Sequence, residues 1–316
     1  MARRDPLEDK LVVLIGGGGF LGTCVAQALL QRGARLRIAD RHPEKAFNLK
    51  PLANLGQIQF VRCDVAGPGS LDALLHGADA AAYLVGTFGA NQQALQADGA
   101  GRAAQAAAAA GAQAFAYVSA IGADPASDSG YARTKGEGEA LVRAAFPQAT
   151  VLRPSVLFGE DDQFLNMFAG LIAALPAVPV FGPDARLQPL WVDDAAEALA
   201  AALADPRAHG GKTYELAGPE VLTMAELHRR IAAAQGRESR LLIAVPDALS
   251  GLFAALPGTP LGADQWKLLQ RGSVASGTLP GLAELGIAPR PLGLFLDRWM
   301  TRYRKHGRFG DKREAA

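Results

Sequence analysis

A chain of 316 residues is long enough to bury a sizeable core, either as one large domain or as a domain with a smaller partner. Its formal net charge of +1 and its ordinary globular composition, rich in Ala and Gly, give no reason to expect a nucleic-acid binder. The two cysteines, Cys24 and Cys63, read as core thiols of a reducing compartment, and His42, His76, His209, His228 and His306 are scattered without metal-ligand spacing.

The opening segment MARRDPLEDK has no apolar stretch of signal-peptide length, and no uncharged apolar run reaches the roughly 20 residues that span a bilayer. A first strand, Lys10 to Ile15, then runs into a glycine turn, LIGGGGFLG, and out into a helical pattern with Phe20, Leu21, Cys24, Val25, Ala28 and Leu29 on one face. Strand, glycine turn and helix make a site for a dinucleotide pyrophosphate. Gly16 permits the tight turn, Gly19 lets backbone approach the phosphates, and Gly22 lets helix and strand pack closely. The helix N-terminus offers free N–H groups and a positive dipole end. Gly33 reads as its C-terminal stop. The next strand, with Leu36 and Ile38, ends at Asp40, where a carboxylate can meet a ribose.

Strands and helices continue to alternate. Ile58 to Val61 is a third strand ending at Asp64 and Val65, Ala78 to Val85 a fourth stopped by Gly86, and Phe115 to Ser119 a fifth. The Ala-rich stretch Ala100 to Ala110 is a strong helix former closed by Gly111, Tyr131 to Phe146 a helix ended by Pro147, and Thr150 to Arg153 a sixth strand. This order predicts an α/β fold with a parallel sheet covered on both faces. Ligands in such sheets bind beyond the carboxyl ends of the strands. The glycine turn, Asp64, Gly86, Ser119 and Pro154 all fall at such ends and are expected along one crevice.

The pattern changes after Gly159. Phe164 to Ala174 is helical, prolines at 176, 179 and 183 break the chain, and Leu187 to Val192 is extended. Asp193 or Asp194 then caps a helix through Leu203, and Lys212 to Leu216 returns to the sheet. Beyond Gly218 a helical, proline-interrupted region reads as a smaller lid. Its apolar stretch Leu241 to Leu256 is read as a packed or interface helix. The tail carries Arg302, Arg304, Lys305, Arg308, Lys312 and Arg313. It is read as a solvated terminus, or as a contact with anionic lipid or a partner.

Tyr131 and Lys135 are four residues apart and share a helix face. A phenol has a free pKa near 10, and a neighbouring ammonium lowers it. Ser119 at its strand end can donate to a carbonyl. The three predict a relay in which Ser119 orients the carbonyl, Tyr131 moves its proton, and Lys135 holds the ribose and tunes Tyr131. Gly136 and Gly138 each cost that helix about 1 kcal/mol relative to Ala, which implies close approach of another backbone or of the cofactor. Asp40 favours the two ribose hydroxyls of NAD, whereas Arg41 beside it can pair with a 2′-phosphate.

LIGGGGFLG, VSAIGAD (Val118 to Asp124), YARTKGEGEALVRAAFP (Tyr131 to Pro147) and LRPSVLFGEDDQFLNMFA (Leu152 to Ala169) resemble the extended and atypical short-chain dehydrogenase/reductases. More closely they resemble the nucleotide-binding accessory subunits of respiratory complex I and their bacterial relatives. PLWVDDAAEAL (Pro189 to Leu199) and LPGLAELGI (Leu279 to Ile287) extend that resemblance almost to the C-terminus. It implies a Rossmann-type doubly wound sheet over residues 8–216 and a small, mostly helical C-terminal domain over 217–302, to which 160–186 contribute, followed by a basic tail, 303–316.

It also implies bound NAD(P)(H). Gly16, Gly19, Phe20, Leu21 and Gly22 would hold the pyrophosphate, and Asp64 and Val65 would flank adenine. Gly86 would line the dinucleotide, with Pro154, Ser155 and Val156 facing the nicotinamide. Arg41 stands where the family often has an arginine favouring NADPH, while Asp40 departs from that pattern. Ser119, Tyr131 and Lys135 match the catalytic trio of active reductases. Two functions follow as expectations. One is an oxidoreductase or epimerase acting on an apolar or quinone-related carbonyl compound. The other is a non-catalytic nucleotide-holding subunit of complex I. The expected location is cytoplasmic, with peripheral contact on the inner face of the membrane.

Overall fold

The computed structural model describes residues 5–67, 70–254, 256, 261–305 and 307. In chain order the elements are β1 (Leu11–Ile15), α1 (Phe20–Gln31), β2 (Arg35–Asp40), β3 (Ile58–Arg62), α2 (Ser70–Leu75), β4 (Ala80–Tyr83), α3 (Gly99–Ala109), β5 (Ala114–Val118), α4 (Gly130–Ala145) and β6 (Thr150–Pro154). These are followed by β7 (Leu157–Phe158), α5 (Phe164–Ala174), β8 (Ala177–Phe181), β9 (Arg186–Leu187), β10 (Leu190–Trp191), α6 (Val192–Ala204), α7 (Pro206–His209) and β11 (Thr213–Leu216). The last are β12 (Leu222–Thr223), α8 (Met224–Ala234), β13 (Leu241–Val245), α9 (Asp247–Ala254), α10 (Ala263–Arg271) and α11 (Leu296–Met300).

The chain divides into two compact units. The first runs through Pro154 and also takes in Val192–Leu216 and Ser276–Ala288. Its sheet has seven strands in the order β3-β2-β1-β4-β5-β6-β11, every pair parallel. The two-residue alternation of strands sends Val13, Ile15, Ala81, Tyr83, Phe115, Tyr117 and Val151 to one face, where they join Leu71, Leu74, Val142 and the alanines of α3 in one core. α1 packs against α6, and Arg32 at the end of α1 bonds Glu197 of α6 at 2.8 Å. The order reverses between β1 and β4, the switch point at which such sheets bind ligands.

The second unit comprises Ser155–Trp191, Ala217–Ala275 and the described residues from Pro289 onward. Phe158, Phe168, Ile172, Trp191, Leu227, Ile231, Phe295 and Trp299 form its core. Thr223 and Glu226 close a reciprocal capping box on α8. Two expectations are corrected here. Leu241 to Leu256 is not one helix: Leu241–Val245 is a strand paired in parallel with β8, and α9 starts only after Pro246. The helix expected to be capped by Asp193 or Asp194 begins at Val192, with both aspartates inside its first turn.

Candidate functional site

The site is built from the tips of β1, β2, β4 and β5 and the first two turns of α4. At the β1 tip Gly16 has a φ of +83°, open to glycine at little cost, and a Cβ there would come within 3.2 Å of the Val85 backbone nitrogen. A Cβ on Gly22 would lie 2.7 Å from the Gly16 carbonyl oxygen and the Gly17 backbone, so only glycine lets α1 seat against the turn. Gly19 meets nothing closer than 3.5 Å, leaving open space above it. No side chain caps α1 at Gly19 and no acidic residue lies in its first turn. The N–H groups of Phe20, Leu21 and Gly22 and the positive end of the helix are therefore available to an anion. The cradle fits a pyrophosphate.

Asp40 ends β2 beside this turn. Its carboxylate stands 3.1 Å from the position a Gly18 Cβ would take, and accepts the His42 N–H at 2.9 Å. Arg41 is exposed. Arg62, which the sequence reading passed over, is Asp40's register partner on β3. Asp64 is exposed and accepts the Ala66 N–H at 3.0 Å, while Val65 is buried and its carbonyl accepts from Arg102 at 2.5 Å.

Ser129 caps α4, accepting the Ala132 N–H, which puts Tyr131 in the first turn and Lys135 one turn further on. Lys135 is buried and its Nζ donates to the Val118 carbonyl at 2.8 Å and the Val85 carbonyl at 3.1 Å, the tips of β5 and β4. A Cβ on Gly86 would lie 3.6 Å from that Nζ. The glycine turn, Gly86 and Lys135 thus converge around Val85. Burial pushes the Lys135 ammonium down to about 7, against the opposing pull of Glu139. Lys135 Nζ lies 5.9 Å from the centre of the Tyr131 ring. The expected fall in the Tyr131 pKa is absent, because burial pushes the phenol up to about 12. At neutral pH Tyr131 therefore carries its proton.

Ser119 follows the last residue of β5 and is buried. Its hydroxyl donates to Glu139 at 2.5 Å, and Glu139 also takes a two-pronged ion pair from Arg153 of β6 at 2.7 and 2.8 Å. Glu139 and Arg153 were missed in the sequence, although Glu139 shares the Tyr131 and Lys135 face at the same four-residue step. Gln96 was missed too. Fully buried in a π-helical turn (Gln93–Asp98), it donates to Thr134 at 2.8 Å and accepts the Thr87 N–H at 3.0 Å. Gly138 passes so close to Tyr117 Oη and the Gln96 carbonyl that a Cβ cannot be placed there, and a Cβ on Gly136 would lie 2.5 Å from the Pro125 nitrogen. These are the close backbone approaches the two helix glycines implied. Pro154 accepts the Ile121 N–H at 3.1 Å in the first unit. Ser155 and Val156 belong to the second unit, where the Ser155 hydroxyl donates to the Ser273 carbonyl at 2.9 Å.

A family model described as NAD(P)H-binding matches residues 16–167. NADH dehydrogenase (ubiquinone) 1 alpha subcomplex subunit 9 of Mus musculus is 30% identical, over 96% of this chain and 83% of that protein. The chain belongs to the NAD(P)-binding short-chain dehydrogenase/reductases. Within this family a ceramide reductase of Caulobacter vibrioides is 33% identical, over 79% of this short-chain dehydrogenase/reductase and 80% of its own length. In fold, the family member resembles the dTDP-glucose 4,6-dehydratase of Streptomyces venezuelae, solved with NAD, at a TM-score of 0.72, 19% identity and coverage of 96% and 98%.

Proposed function

We propose that this chain is an NAD(P)-dependent oxidoreductase that reduces a carbonyl group on an apolar substrate. The observation that carries the reading is the pairing of a Tyr131 phenol that keeps its proton at neutral pH with a buried Lys135 at the tips of β4 and β5. When bound, a reduced nicotinamide supplies a hydride. Tyr131 donates its proton to the carbonyl oxygen that receives negative charge, so carbonyl carbon and oxygen together gain the hydride and the proton of an alcohol. Lys135 has two N–H bonds committed to backbone carbonyls, and its third, present only on the ammonium, is left for a ribose hydroxyl. The Ser119 hydroxyl donates its hydrogen bond to Glu139, so Ser119 acts as a positioning residue that ties the β5 tip to α4. The Caulobacter relative's name, a reductase of a lipid, supports an apolar substrate.

For the dinucleotide, Asp40 beside Gly18 supports NAD(H), because a carboxylate there accepts ribose hydroxyls and repels a 2′-phosphate. Arg41 and Arg62 provide the opposite preference only where that carboxylate is removed. The test of function is steady-state oxidation of NADH and NADPH over a panel of quinones, long-chain ketones and 3-oxo-sphingoid amides. Turnover that disappears in Tyr131→Phe supports the reading, and its absence across the panel removes it.

A second reading, a nucleotide-holding accessory subunit of respiratory complex I, is favoured by the likeness to the mouse subunit over 96% of the chain. Among the described residues no helix is long and apolar enough to cross a membrane. Leu241, Ile243, Leu249 and Leu252 are exposed on β13 and α9 and give the apolar face that a peripheral assembly would cover. Co-purification with respiratory-chain subunits from membranes tests it, and a protein that never associates with membranes removes it.

A further inference from the structure

The segment that leaves β4 does more than shape the dinucleotide groove. Phe88 lies parallel to Tyr131, ring centres 4.4 Å apart and planes 16° from each other, yet Phe88 is 49% exposed. One face of an aromatic ring is thus spent on the proton-carrying phenol and much of the rest is offered outward. An exposed phenylalanine in a loop is ordinarily free to turn away. Here the loop is held on both sides of the ring: Thr87 N–H is tied to the buried Gln96 amide, and Gly89 N–H to the Thr87 hydroxyl at 3.0 Å. Gln96 in turn grips Thr134, whose hydroxyl bonds the carbonyls of Gly130 and Tyr131. The same amide side chain therefore fixes both the Phe88 loop and the helical turn that carries Tyr131. At the far end of the loop Asn91 takes a φ of +69°, a conformation asparagine tolerates better than most residues.

We propose that Phe88 is a specificity-determining residue, an aromatic wall that receives the apolar group next to the substrate carbonyl, with Gln96 as the positioning residue that registers this wall against Tyr131. The inference rests on the oxidoreductase reading for its chemistry, but not for its geometry. Two physical consequences follow from the stack. It shields one face of the phenol from water, which contributes to the high proton affinity of Tyr131. It also presents a flat apolar surface beside the proton donor, on which an alkyl chain or a ring gains contact and a hydrated polyol does not.

The test is calorimetric titration of the full chain, saturated with NAD+, with 2-undecanone and with dihydroxyacetone. Phe88→Ala is expected to weaken 2-undecanone by about three- to tenfold more than dihydroxyacetone, the range for loss of one aromatic contact, while Phe88→Trp keeps the discrimination. Equal weakening of both ligands, or of neither, overturns the proposal. A second readout needs no ligand. Absorbance at 295 nm, corrected with Tyr131→Phe, is expected to show Tyr131 ionising at lower pH in Phe88→Ala than in the wild type. A phenol that stays as high as in the wild type contradicts the shielding role. Discrimination in this titration, together with no oxidation of NADH or NADPH across the carbonyl panel, would leave this inference standing and remove the oxidoreductase reading instead.

Discussion

The ammonium nitrogen of Lys135 is anchored on the Val118 carbonyl oxygen, 2.8 Å away, at the point where β5 leaves the sheet. Two of its N–H bonds suffice for its two backbone acceptors, so the third proton has value only when a ligand hydroxyl is present to take it. Dinucleotide binding is therefore expected to take up close to one proton per site at pH 8, above the free-protein value of about 7. Calorimetry in two buffers of different ionisation enthalpy measures the uptake directly. Proton-neutral binding, or uptake that persists in Lys135→Met, contradicts the assignment.

The same shift has a sign in stability. The folded pKa of Lys135 is depressed below the unfolded value, so between about 7 and 10.5 the unfolded chain holds more protons than the native one. Unfolding free energy is then expected to gain up to about 1.4 kcal/mol per pH unit from this group as pH rises through that window. The gain is absent in Lys135→Met, and urea unfolding of both proteins at pH 7, 8 and 9 checks the difference.

Tyr131→Phe removes the transferable proton and leaves the glycine cradle intact. Turnover is expected to fall by roughly 10²–10⁴-fold, the usual contribution of a positioned acid, with NADH affinity changed less than about threefold. A variant that keeps more than a tenth of the wild-type kcat would show that another group protonates the carbonyl.

Glu139→Gln keeps an acceptor for Ser119 but leaves Arg153 without its counter-charge. Breaking a buried pair costs roughly 3–5 kcal/mol, and because the Arg153 side chain keeps 23% of its exposure we expect about 2 kcal/mol in urea unfolding at pH 7. A change below about 0.5 kcal/mol would show that the pair contributes only as much as a surface contact.

At β2 the expectation concerns nucleotide choice. Asp40→Ser removes the charge beside Gly18 and leaves Arg41 and Arg62 to act alone, so NADPH affinity should rise at least tenfold relative to NADH. An unchanged ratio would mean that the ribose is bound away from the β2 tip.

Much of this architecture was legible because it depends on local pattern. The glycine turn follows from spacing alone, and so does the pairing of Tyr131 with Lys135 on one helix face. The parallel sheet follows from apolar runs alternating with helical ones. What escaped depends on contacts distant in the chain. Arg153 on β6 and Glu139 on α4 meet only through the fold, and the same carboxylate accepts the Ser119 hydroxyl, a pairing that a strand-end position alone does not reveal. Phe88 sits in a loop with no periodicity to single it out. The Tyr131 pKa was expected to fall toward its lysine, but spacing cannot reveal burial, and burial dominates. Leu241 to Val245 is an apolar run that fits helix and strand equally well, and Pro246 was the clue that it stops short.

The central claim, that the first unit holds an adenine dinucleotide on its glycine turn, is tested most directly by one titration of wild type and Gly19→Asp with NADH. Gly19 has room for a Cβ, its nearest neighbour standing 3.5 Å off, so the variant is expected to fold while placing a carboxylate where the pyrophosphate lies. Saturable one-to-one binding by the wild type, lost in the variant with unchanged circular dichroism, is the expected result. Binding of equal strength to both proteins, or no binding of NADH or NADPH to the folded wild type, would contradict the account.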